Sequence, residues 1–387
     1  MRVFLIAGEA SGDALGGALM EGLKALISGV TFDGVGGPMM QAQGLKSRFP
    51  MEELSIMGLA EVLPKYFHLK RRIREVANAV TQTQPDVLIT IDSPDFCLRV
   101  AKLVKDARPD LRTVHYVAPS VWAWRPGRAA KMATVIDHVL ALLPFEPPYM
   151  EAAGMDCDFV GHPVVAQPQA TAAEIAAFRA AHDLGDAPIL LILPGSRKGE
   201  VTRLAAVFGQ ALAPVLAEHP DLRVVVPAAG GVADLVREQV AHWPGTPLVL
   251  DPRTGSADEA ARDKRAAFGA AAAAIAASGT VSLELAAAGT PMVIAYDFNP
   301  VTRMMMKRMI RIDTVTLVNL VSDTRVVPEC LAGNCRPDRI AAALSGVLAD
   351  PSAQEAAMAL TMERLGQGGE APGLRAARAV MRGLSPS

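Results

Sequence analysis

Two short stretches in the second half of the chain, Leu193-Pro-Gly-Ser-Arg197 and Ala277-Ser-Gly-Thr-Val-Ser-Leu-Glu284, decide the fold of that half. Each stretch follows an apolar run and opens a helical pattern, which is typical of a strand-to-helix turn. A helix that starts at such a turn presents backbone N–H groups and the positive end of its dipole, and both favour a phosphate group. The sequence therefore predicts a phosphate seat at each turn.

Two side chains extend this prediction to a nucleotide. Arg197 offers a planar cation that suits phosphate oxygens. Glu284 lies four residues after Thr280, one helical turn further on, where a carboxylate can accept hydrogen bonds from the two hydroxyls of a ribose. One domain is thus expected to contact diphosphate and ribose together.

The composition indicates a large cytoplasmic protein without a nucleic-acid surface. The chain has 387 residues, 51% of them hydrophobic, which is enough for two domains or even three. Lys and Arg total 38 against 40 Asp and Glu, and aromatic residues are only 5%, so neither a basic field nor a base-stacking surface is expected. The four cysteines form no CxxC pair and no zinc pattern with histidine, which suits a reducing compartment and predicts no metal.

The order of apolar and helical patterns predicts two α/β domains. Short apolar runs alternate with longer helical patterns, as in parallel βαβ units, and the alternation restarts after a linker at Val164–Thr171. We expect strands at Val3–Ala7, Val87–Ile91, Thr113–Val117, Val139–Leu143, Ile189–Leu193, Leu222–Val226, Leu248–Leu250, Ala272–Ala276 and Met292–Ala295. The predicted fold is two doubly wound Rossmann-like domains facing a cleft, over residues 1–165 and 166–368, with a helix in 369–387 that packs back on the first domain. The first strand is too short for a signal-peptide core, and the alanine-rich run Ala266–Ala277 is too short to cross a bilayer.

Asp92 is the candidate general base, because it directly follows a predicted strand at the edge where parallel sheets bind ligands. The alternative is a helix cap, which Asp92 and Asp95 both suit. His115 and His162 are rival bases, although a single histidine after a strand is more often a structural hydrogen-bond partner.

Other motifs point less clearly to chemistry. Gly8-Glu-Ala-Ser-Gly12 lacks the GxGxxG spacing of a dinucleotide loop, which disfavours a redox nicotinamide site. Gly195-Ser-Arg-Lys-Gly199 has its serine one position too early for a nucleophile elbow. Asp156-Cys-Asp158 has the DxD form of some metal-dependent glycosyltransferases, but two acids at alternate positions are more commonly a solvated edge strand.

Two basic and apolar stretches suit a membrane surface. Met57–Arg72 mixes large apolar residues with five basic ones, and Arg303–Arg311 combines methionines with four cations. Each alone is equally well explained by an amphipathic helix with a solvated basic face. Together they favour peripheral attachment to a membrane.

Several strings together closely resemble the lipid-A-disaccharide synthase family. They are AGEASGD (7–13), GVGGPMM (34–40), MGLAEVLP (57–64), IDSPDF (91–96), HYVAPSVWAWRPGR (115–128), LPFE (143–146), FVGHP (159–163), LPGSRKGE (193–200) and ASGTVSLE (277–284). The resemblance implies a GT-B-type inverting glycosyltransferase that joins UDP-2,3-diacylglucosamine to 2,3-diacylglucosamine 1-phosphate, forms a β-1,6 disaccharide and releases UDP. It also implies no cofactor, no required metal, a peripheral place at the cytoplasmic face of the inner membrane, and a homodimer.

The resemblance assigns roles to individual positions. Asp92 of IDSPDF matches the base, and Ser196 and Arg197 of LPGSR match the diphosphate contact. The remaining nucleotide contacts implied by the family are Ser278, Gly279 and Thr280 at the phosphate, Glu284 at the ribose, and Asn319 near the nucleotide. This chain departs from the family pattern at Val318, where relatives usually have proline, and at Cys97, where an asparagine commonly follows PDF.

Two other functions fit parts of the sequence. A UDP-sugar 2-epimerase is expected to have a similar two-domain architecture. It would convert the UDP-sugar donor without needing an acceptor sugar. A non-enzymatic nucleotide-binding scaffold at the membrane would bind UDP and give no product from acylated donor and acceptor.

Overall fold

The computed structural model describes residues 1–54, 59–125, 127–298 and 312–384, with the side chains of residues 59–66 excepted. The chain divides into two compact units. The first comprises Met1–Ala166 together with Leu365–Ser387, and the second comprises Gln167–Arg364.

The first unit is built on a six-stranded parallel sheet in the order β2-β1-β3-β4-β5-β6. Its strands are β1 (Arg2–Ala7), β2 (Thr31–Val35), β3 (Val87–Ile91), β4 (Arg112–Tyr116), β5 (His138–Ala141) and β6 (Asp156–Phe159). Its helices are α1 (Ala10–Leu26), α2 (Pro38–Ala42), α3 (Leu59–Thr83), α4 (Pro94–Ala107), α5 (Gly127–Met132) and α6 (Pro147–Glu151).

The second unit has another six-stranded parallel sheet, in the order β12-β11-β10-β7-β8-β9. Its strands are β7 (Ile189–Leu193), β8 (Arg223–Pro227), β9 (Leu248–Leu250), β10 (Ala271–Ala276), β11 (Met292–Tyr296) and β12 (Glu329–Leu331). Its helices are α7 (Ala172–Ala181), α8 (Lys198–Glu218), α9 (Ala233–Val240), α10 (Ala257–Ala270), α11 (Val281–Ala287), α12 (Leu317–Ser322), α13 (Pro337–Ala349) and α14 (Ser352–Arg364).

The central strands are apolar because helices cover both faces of each sheet. All five residues of β3 and of β7 are buried. Strands buried on both faces read as continuous apolar runs rather than as alternating ones, and this is why the sequence located them. The predicted fold class, with two Rossmann-like α/β domains, is confirmed by the two parallel sheets.

The strand expected at Asp156-Cys-Asp158 is β6, and two further strands, β2 and β12, were not predicted. β2 has the sequence Thr-Phe-Asp-Gly-Val and pairs only with β1 within its sheet, and β12 has three residues at the edge of the second sheet. Edge strands are short and partly polar, so the apolar signal that marked the central strands is missing from them.

The last helix, α15 (Pro372–Leu384), packs on α1 within the first unit. The contact is close because both helices carry glycine where they meet. A Cβ on Gly22 would lie 2.6 Å from the carbonyl oxygen of Gly373, and a Cβ on Gly373 would lie 2.4 Å from that of Ala18. Residues that precede the second unit and residues that follow it thus share one core.

Among the described residues, α8 alone combines the length and the apolar composition that a membrane-crossing helix needs. Half of the apolar stretch is buried inside the structure, and Val201, Leu204, Phe208 and Leu212 belong to the core of the second unit.

Candidate functional site

The loops after β1 and β3 meet in the first unit at the point where the strand order reverses. β1 pairs with β2 on one side and with β3 on the other, and Ala7 at the end of β1 is in register with Ile91 at the end of β3. Ligands of open α/β sheets bind at such a switch point, outside the carboxyl ends of the strands. Gly8 permits the close approach of the two loops, since a Cβ there would lie 2.6 Å from Oγ of Ser93.

Asp92 is the first residue after β3 and is half-buried at this edge. Its backbone N–H donates to the carbonyl oxygen of Tyr116 at 3.0 Å. Among the residues that the structure describes, none donates a hydrogen bond to its carboxylate or forms an ion pair with it. The cap of α4 is Ser93, so Asp92 does not serve as the helix cap. The cap alternative for Asp92 is therefore not supported, and its carboxylate is available.

The backbone around Asp92 is strained. Asp92 and Ser93 have φ of +51° and +44°, and Val117, which follows β4, has φ of +88°. Left-handed conformations of this kind cost about 1–3 kcal/mol each and are concentrated at functional sites. The N–H of Val117 donates to the carbonyl oxygen of Leu140 at 3.0 Å, which helps to hold the loop after β4 in this conformation.

Asp13 links two of the family strings through a contact that was not predicted from the sequence. Its carboxylate is 2% exposed and accepts hydrogen bonds from the backbone N–H groups of Gly37, Met39 and Met40 at 2.8, 2.9 and 3.0 Å. The string AGEASGD thereby fixes the turn that GVGGPMM makes at the start of α2. Because the two strings are distant in sequence, only the fold brings them together.

Glu146 links two further strings in the same way. Its carboxylate accepts from the N–H of Leu143 at 3.0 Å and from the indole N–H of Trp122 at 3.3 Å. The rings of Trp122 and Phe145 pack edge to face with centroids 5.2 Å apart. Burial raises the pKa of Glu146 to about 7, although the hydrogen bonds from Leu143 and Trp122 favour the ionised form.

The two histidines considered as alternative bases are both buried, and each has a hydrogen-bond partner within the first unit. His115 is buried on β4, and its Nδ1 lies 2.7 Å from the hydroxyl of Thr90. His162 accepts a hydrogen bond from the N–H of Val164 at 3.2 Å. Burial lowers the pKa of each to about 4, so both are neutral near pH 7.

The second unit has its own switch point, and both predicted phosphate turns lie there. β7 pairs with β8 on one side and β10 on the other, with Leu193 in register with Ala276. The N–H of Ala277 donates to the carbonyl oxygen of Leu193 at 2.9 Å, so the two turns leave the sheet side by side. Their side-by-side placement is the geometry that a shared diphosphate seat needs.

Glu200 occupies the first of these turns. Its carboxylate, buried at the start of α8, accepts from the N–H groups of Ser196 and Arg197 at 3.1 and 3.3 Å and from the Arg197 guanidinium at 3.2 Å. Gly195 makes room for it, with φ of +115° and a Cβ position only 2.5 Å from Oε2 of Glu200. Two of the backbone N–H groups at this turn, those of Ser196 and Arg197, are thus already capped. The side chain of Arg197 remains 64% exposed.

The second turn keeps its N–H groups open. Among the described residues, none accepts a hydrogen bond from the N–H of Ser278, Gly279 or Thr280. Gly279 has φ of +155° and no neighbouring atom within 4 Å of its Cβ position, so there is space above the turn. Glu284 is half-buried on α11, where Oε2 accepts a hydrogen bond from Nζ of Lys264 at 2.5 Å.

Asn319 lies on α12 and is 1% exposed. Its amide donates to the hydroxyl of Thr314 at 3.1 Å and to the carbonyl oxygen of Val327 at 3.0 Å, and its Oδ1 accepts from the N–H of Val327 at 3.0 Å. The side chain therefore holds two segments of the second unit together. Its predicted place near a nucleotide stays a prediction.

The DxD string lies at the opposite edge of the first sheet. Asp156 opens β6 and pairs with Arg112, and Asp158 pairs with His138 at 3.0 Å and Arg382 at 2.7 Å. These groups line an open cavity of about 630 Å³ at the amino-terminal side of the strands. No group of three or more metal-binding side chains occurs among the described residues. The solvated edge strand is the better interpretation of this string.

The two basic stretches are only partly within the described residues, and Arg303–Arg311 lies outside them. In α3, Phe67 is 82% exposed and Lys70 and Arg71 are exposed beside it. His68 and Arg72 face inward instead, where both contact Glu53, at 2.6 and 2.8 Å.

The comparisons with a family model and with curated relatives agree on one family. A family model described as lipid-A-disaccharide synthetase matches residues 3–378. A lipid-A-disaccharide synthase of Ruegeria pomeroyi is 71% identical over 381 residues, which cover 98% of this chain and 95% of that protein. Another, of Rhodospirillum centenum, is 49% identical over 386 residues, covering 98% of this chain and 94% of that protein.

Solved structures agree with the fold. The structure of a UDP-GlcNAc 2-epimerase from Neisseria meningitidis, bound to UDP-GlcNAc, superposes with a TM-score of 0.64 at 10% identity, over 99% of each chain. At this identity the likeness concerns the fold alone. The family model and the close relatives confirm the resemblance found in the sequence: this chain belongs to the lipid-A-disaccharide synthase family of glycosyltransferases.

Proposed function

We propose that Asp92 is the general base of the sugar transfer and that the turn at Ser278–Thr280, with Arg197 and Glu284, holds the UDP of the donor. The activity is that of the family: UDP-2,3-diacylglucosamine and 2,3-diacylglucosamine 1-phosphate form the β-1,6-linked lipid A disaccharide, and UDP is released. The observation that carries the assignment of Asp92 is its half-buried carboxylate at the switch point of the first sheet, which has no partner among the described residues.

In the proposed step, the carboxylate of Asp92 takes the proton of the acceptor 6-hydroxyl as that oxygen attacks the anomeric carbon of the donor. The bond from this carbon to the diphosphate breaks, and UDP leaves with the bonding electrons. A single displacement inverts the anomeric centre. A sugar hydroxyl is a poor nucleophile at neutral pH, and a positioned base contributes about 10²- to 10⁴-fold to such a reaction.

The departing diphosphate gains negative charge, and the second unit offers donors for it. Arg197 contributes an exposed guanidinium, and the N–H groups at 278–280 have no acceptor among the described residues. Donors that are fixed before the reaction stabilise developing charge without reorganisation. Since Glu200 caps the N–H groups of Ser196 and Arg197, we assign the backbone contacts to the second turn and the Arg197 side chain to the first. Ser196 is exposed beside Arg197, and we propose that its hydroxyl joins this contact.

Asp92→Asn tests the base. The amide keeps the size of the side chain but cannot accept the proton, so turnover should fall by about 10²- to 10⁴-fold. The affinity for UDP, measured by calorimetry, should stay unchanged because UDP binds to the other unit. Disaccharide formation is followed by mass analysis of the product, with the donor alone as a second sample to detect an epimerase.

Asp95→Asn is the matched control, since Asp95 is an exposed acid in the first turn of the same helix. It should keep normal turnover. Near-normal turnover of Asp92→Asn, or an equal loss in both variants, would remove Asp92 from the role of base.

We further propose that the protein works as a homodimer at the cytoplasmic face of the inner membrane, with exposed residues of α3 such as Phe67, Lys70 and Arg71 meeting the lipid. An exposed aromatic ring beside cations suits an anionic bilayer surface. Flotation with anionic vesicles tests the contact, and Phe67→Ser should reduce the bound fraction while leaving UDP affinity intact.

A further inference from the structure

Lys264 is a cation beside the proposed nucleotide seat that the family strings do not include. It lies on α10, and its Nζ is 2.5 Å from Oε2 of Glu284 on α11. The two residues are 20 positions apart, so the fold, not the local sequence, creates the pair. The Lys264 side chain is 52% exposed and that of Glu284 is 30% exposed, which leaves both accessible to a ligand.

A second contact, with an aromatic ring, also restrains the Lys264 side chain. Its Nζ lies 5.3 Å from the centre of the Phe268 ring, one turn further along α10. Phe268 is 4% exposed, so the ring is a fixed part of the core against which the lysine rests. An ammonium held by a carboxylate and an aromatic face at once has fewer accessible rotamers than a free surface lysine.

The pair leaves half of the Glu284 carboxylate available. Lys264 donates to Oε2, and none of the described residues donates to Oε1. A carboxylate offers about four lone-pair positions, so a ribose with two hydroxyls can still be accepted. The ion pair also compensates the charge of Glu284, which would otherwise face a diphosphate only one helical turn away at Ser278–Thr280.

We infer that Lys264 is a positioning residue for the donor nucleotide: it orients Glu284 toward the ribose and neutralises its charge beside the diphosphate. This inference rests on the proposed placement of UDP in the second unit. Lys264 acts through Glu284 and therefore affects donor binding rather than the chemical step.

The test compares UDP with 2′-deoxy-UDP in calorimetric titrations of the full-length protein. In the unaltered protein, loss of the 2′-hydroxyl should weaken binding. Lys264→Met keeps an unbranched side chain of similar length but removes the charge. It should weaken UDP binding by about three- to fivefold, the scale of a half-exposed ion pair. Its affinity for 2′-deoxy-UDP should fall less, so that the preference for ribose shrinks.

Steady-state kinetics and a conservative variant distinguish a positioning role of Lys264 from a merely structural one. In Lys264→Met the KM for the donor should rise while kcat is kept, and Lys264→Arg should restore most of the UDP affinity. Glu284→Gln should remove the preference for UDP over 2′-deoxy-UDP. In that background, a second substitution at Lys264 should not change UDP affinity further. The control is Lys102→Met, which breaks a comparable exposed pair with Asp106 in the first unit and should change nothing.

The outcomes separate the two claims. If the unaltered protein binds UDP and 2′-deoxy-UDP equally, the ribose does not meet Glu284, and the proposed placement and this inference fall together. If it prefers UDP but Lys264→Met keeps both the affinity and the preference, the proposed placement stands and Lys264 has no positioning role.

Discussion

At the scale of single residues, the first phosphate turn depends on a glycine for two reasons. Gly195 has φ of +115°, which L side chains rarely adopt, and its missing Cβ leaves the place that the Glu200 carboxylate fills. Glu200 in turn caps the N–H groups of Ser196 and Arg197. The glycine therefore serves the internal capping of α8 and, through it, the orientation of Arg197.

Gly195→Ala should destabilise the second unit by about 1–3 kcal/mol, because the backbone is strained and Glu200 must move. Binding of UDP should weaken as well, since Arg197 loses the carboxylate that orients it. Thermal unfolding and calorimetry measure the two effects.

Gly346→Ala is the matched control in the same unit. Gly346 is exposed in the interior of α13 with nothing within 4 Å of its Cβ position. Alanine there should raise stability by about 0.5–1 kcal/mol and leave UDP affinity unchanged. If Gly195→Ala, like this control, does not lower the stability or the UDP affinity, the close approach of Glu200 to Gly195 does not contribute to either.

At the scale of elements, α15 is attached to the first unit by close packing rather than by nearness in sequence. Gly373→Ala would place a methyl group 2.4 Å from the carbonyl oxygen of Ala18, a backbone atom that cannot rotate away. Overpacking of this kind costs about 1–3 kcal/mol. The variant should unfold at a lower temperature and release α15 for cleavage by trypsin at Arg375 or Arg378.

Gly127→Ala serves as the comparison for that change. Gly127 opens α5 in the same unit and has no atom within 4 Å of its Cβ position, so alanine should be tolerated. Equal trypsin resistance of α15 in the two variants would contradict the proposed importance of the glycine contact.

The sequence located the buried elements well because their apolar pattern is a local property. The predicted bounds of Val87–Ile91, Ile189–Leu193 and Leu248–Leu250 are those observed. The alanine run illustrates the limit, since the helix α10 passes into the strand β10 between Ala270 and Ala271 without a change of residue type. Pairing with β7 and β11, not alanine's helix propensity, decides that boundary.

The candidate site was only half accessible to sequence reasoning. Motif position indicated Asp92, Arg197 and Glu284, whereas Lys264, the partner of Glu284, is set by a side-chain contact that no local pattern encodes. At the first turn, the capping of the Ser196 and Arg197 N–H groups by Glu200 was not predicted. A glutamate three residues into a helix is a common capping residue, so LPGSRKGE did contain the signal.

At the scale of the whole molecule, buried ionisable groups make the first unit sensitive to pH in two opposite ways. The folded pKa of about 4 for His115 and His162 lies below the ordinary value of 6.5, so their contribution is present above pH 6.5 and is lost as pH falls toward 4. The folded pKa of about 7 for Glu146 lies above the ordinary 4.5, so its contribution is full below pH 4.5 and is lost as pH rises through 7.

Burial also lowers the pKa of His138 in the same unit, so between pH 6.5 and 5 three histidines are opposed by Glu146. Each group contributes up to about 1.4 kcal/mol per pH unit to the free energy of unfolding, so the stability of the first unit should fall on acidification. Glu146→Gln removes the opposing group and should make the fall steeper. Urea unfolding at several pH values measures both slopes, and a flat profile in the unaltered protein would contradict the burial of the histidines.

The contribution of residues 365–387 to the first unit also bears on biosynthesis. A ribosome delivers the second unit complete before it delivers the helix that covers α1. Until α15 is synthesised, the surface of α1 that it covers stays exposed to solvent. A nascent chain that ends before α15 leaves this apolar surface free to associate with other chains. Premature termination close to the end of translation should consequently damage the half of the protein that was made first.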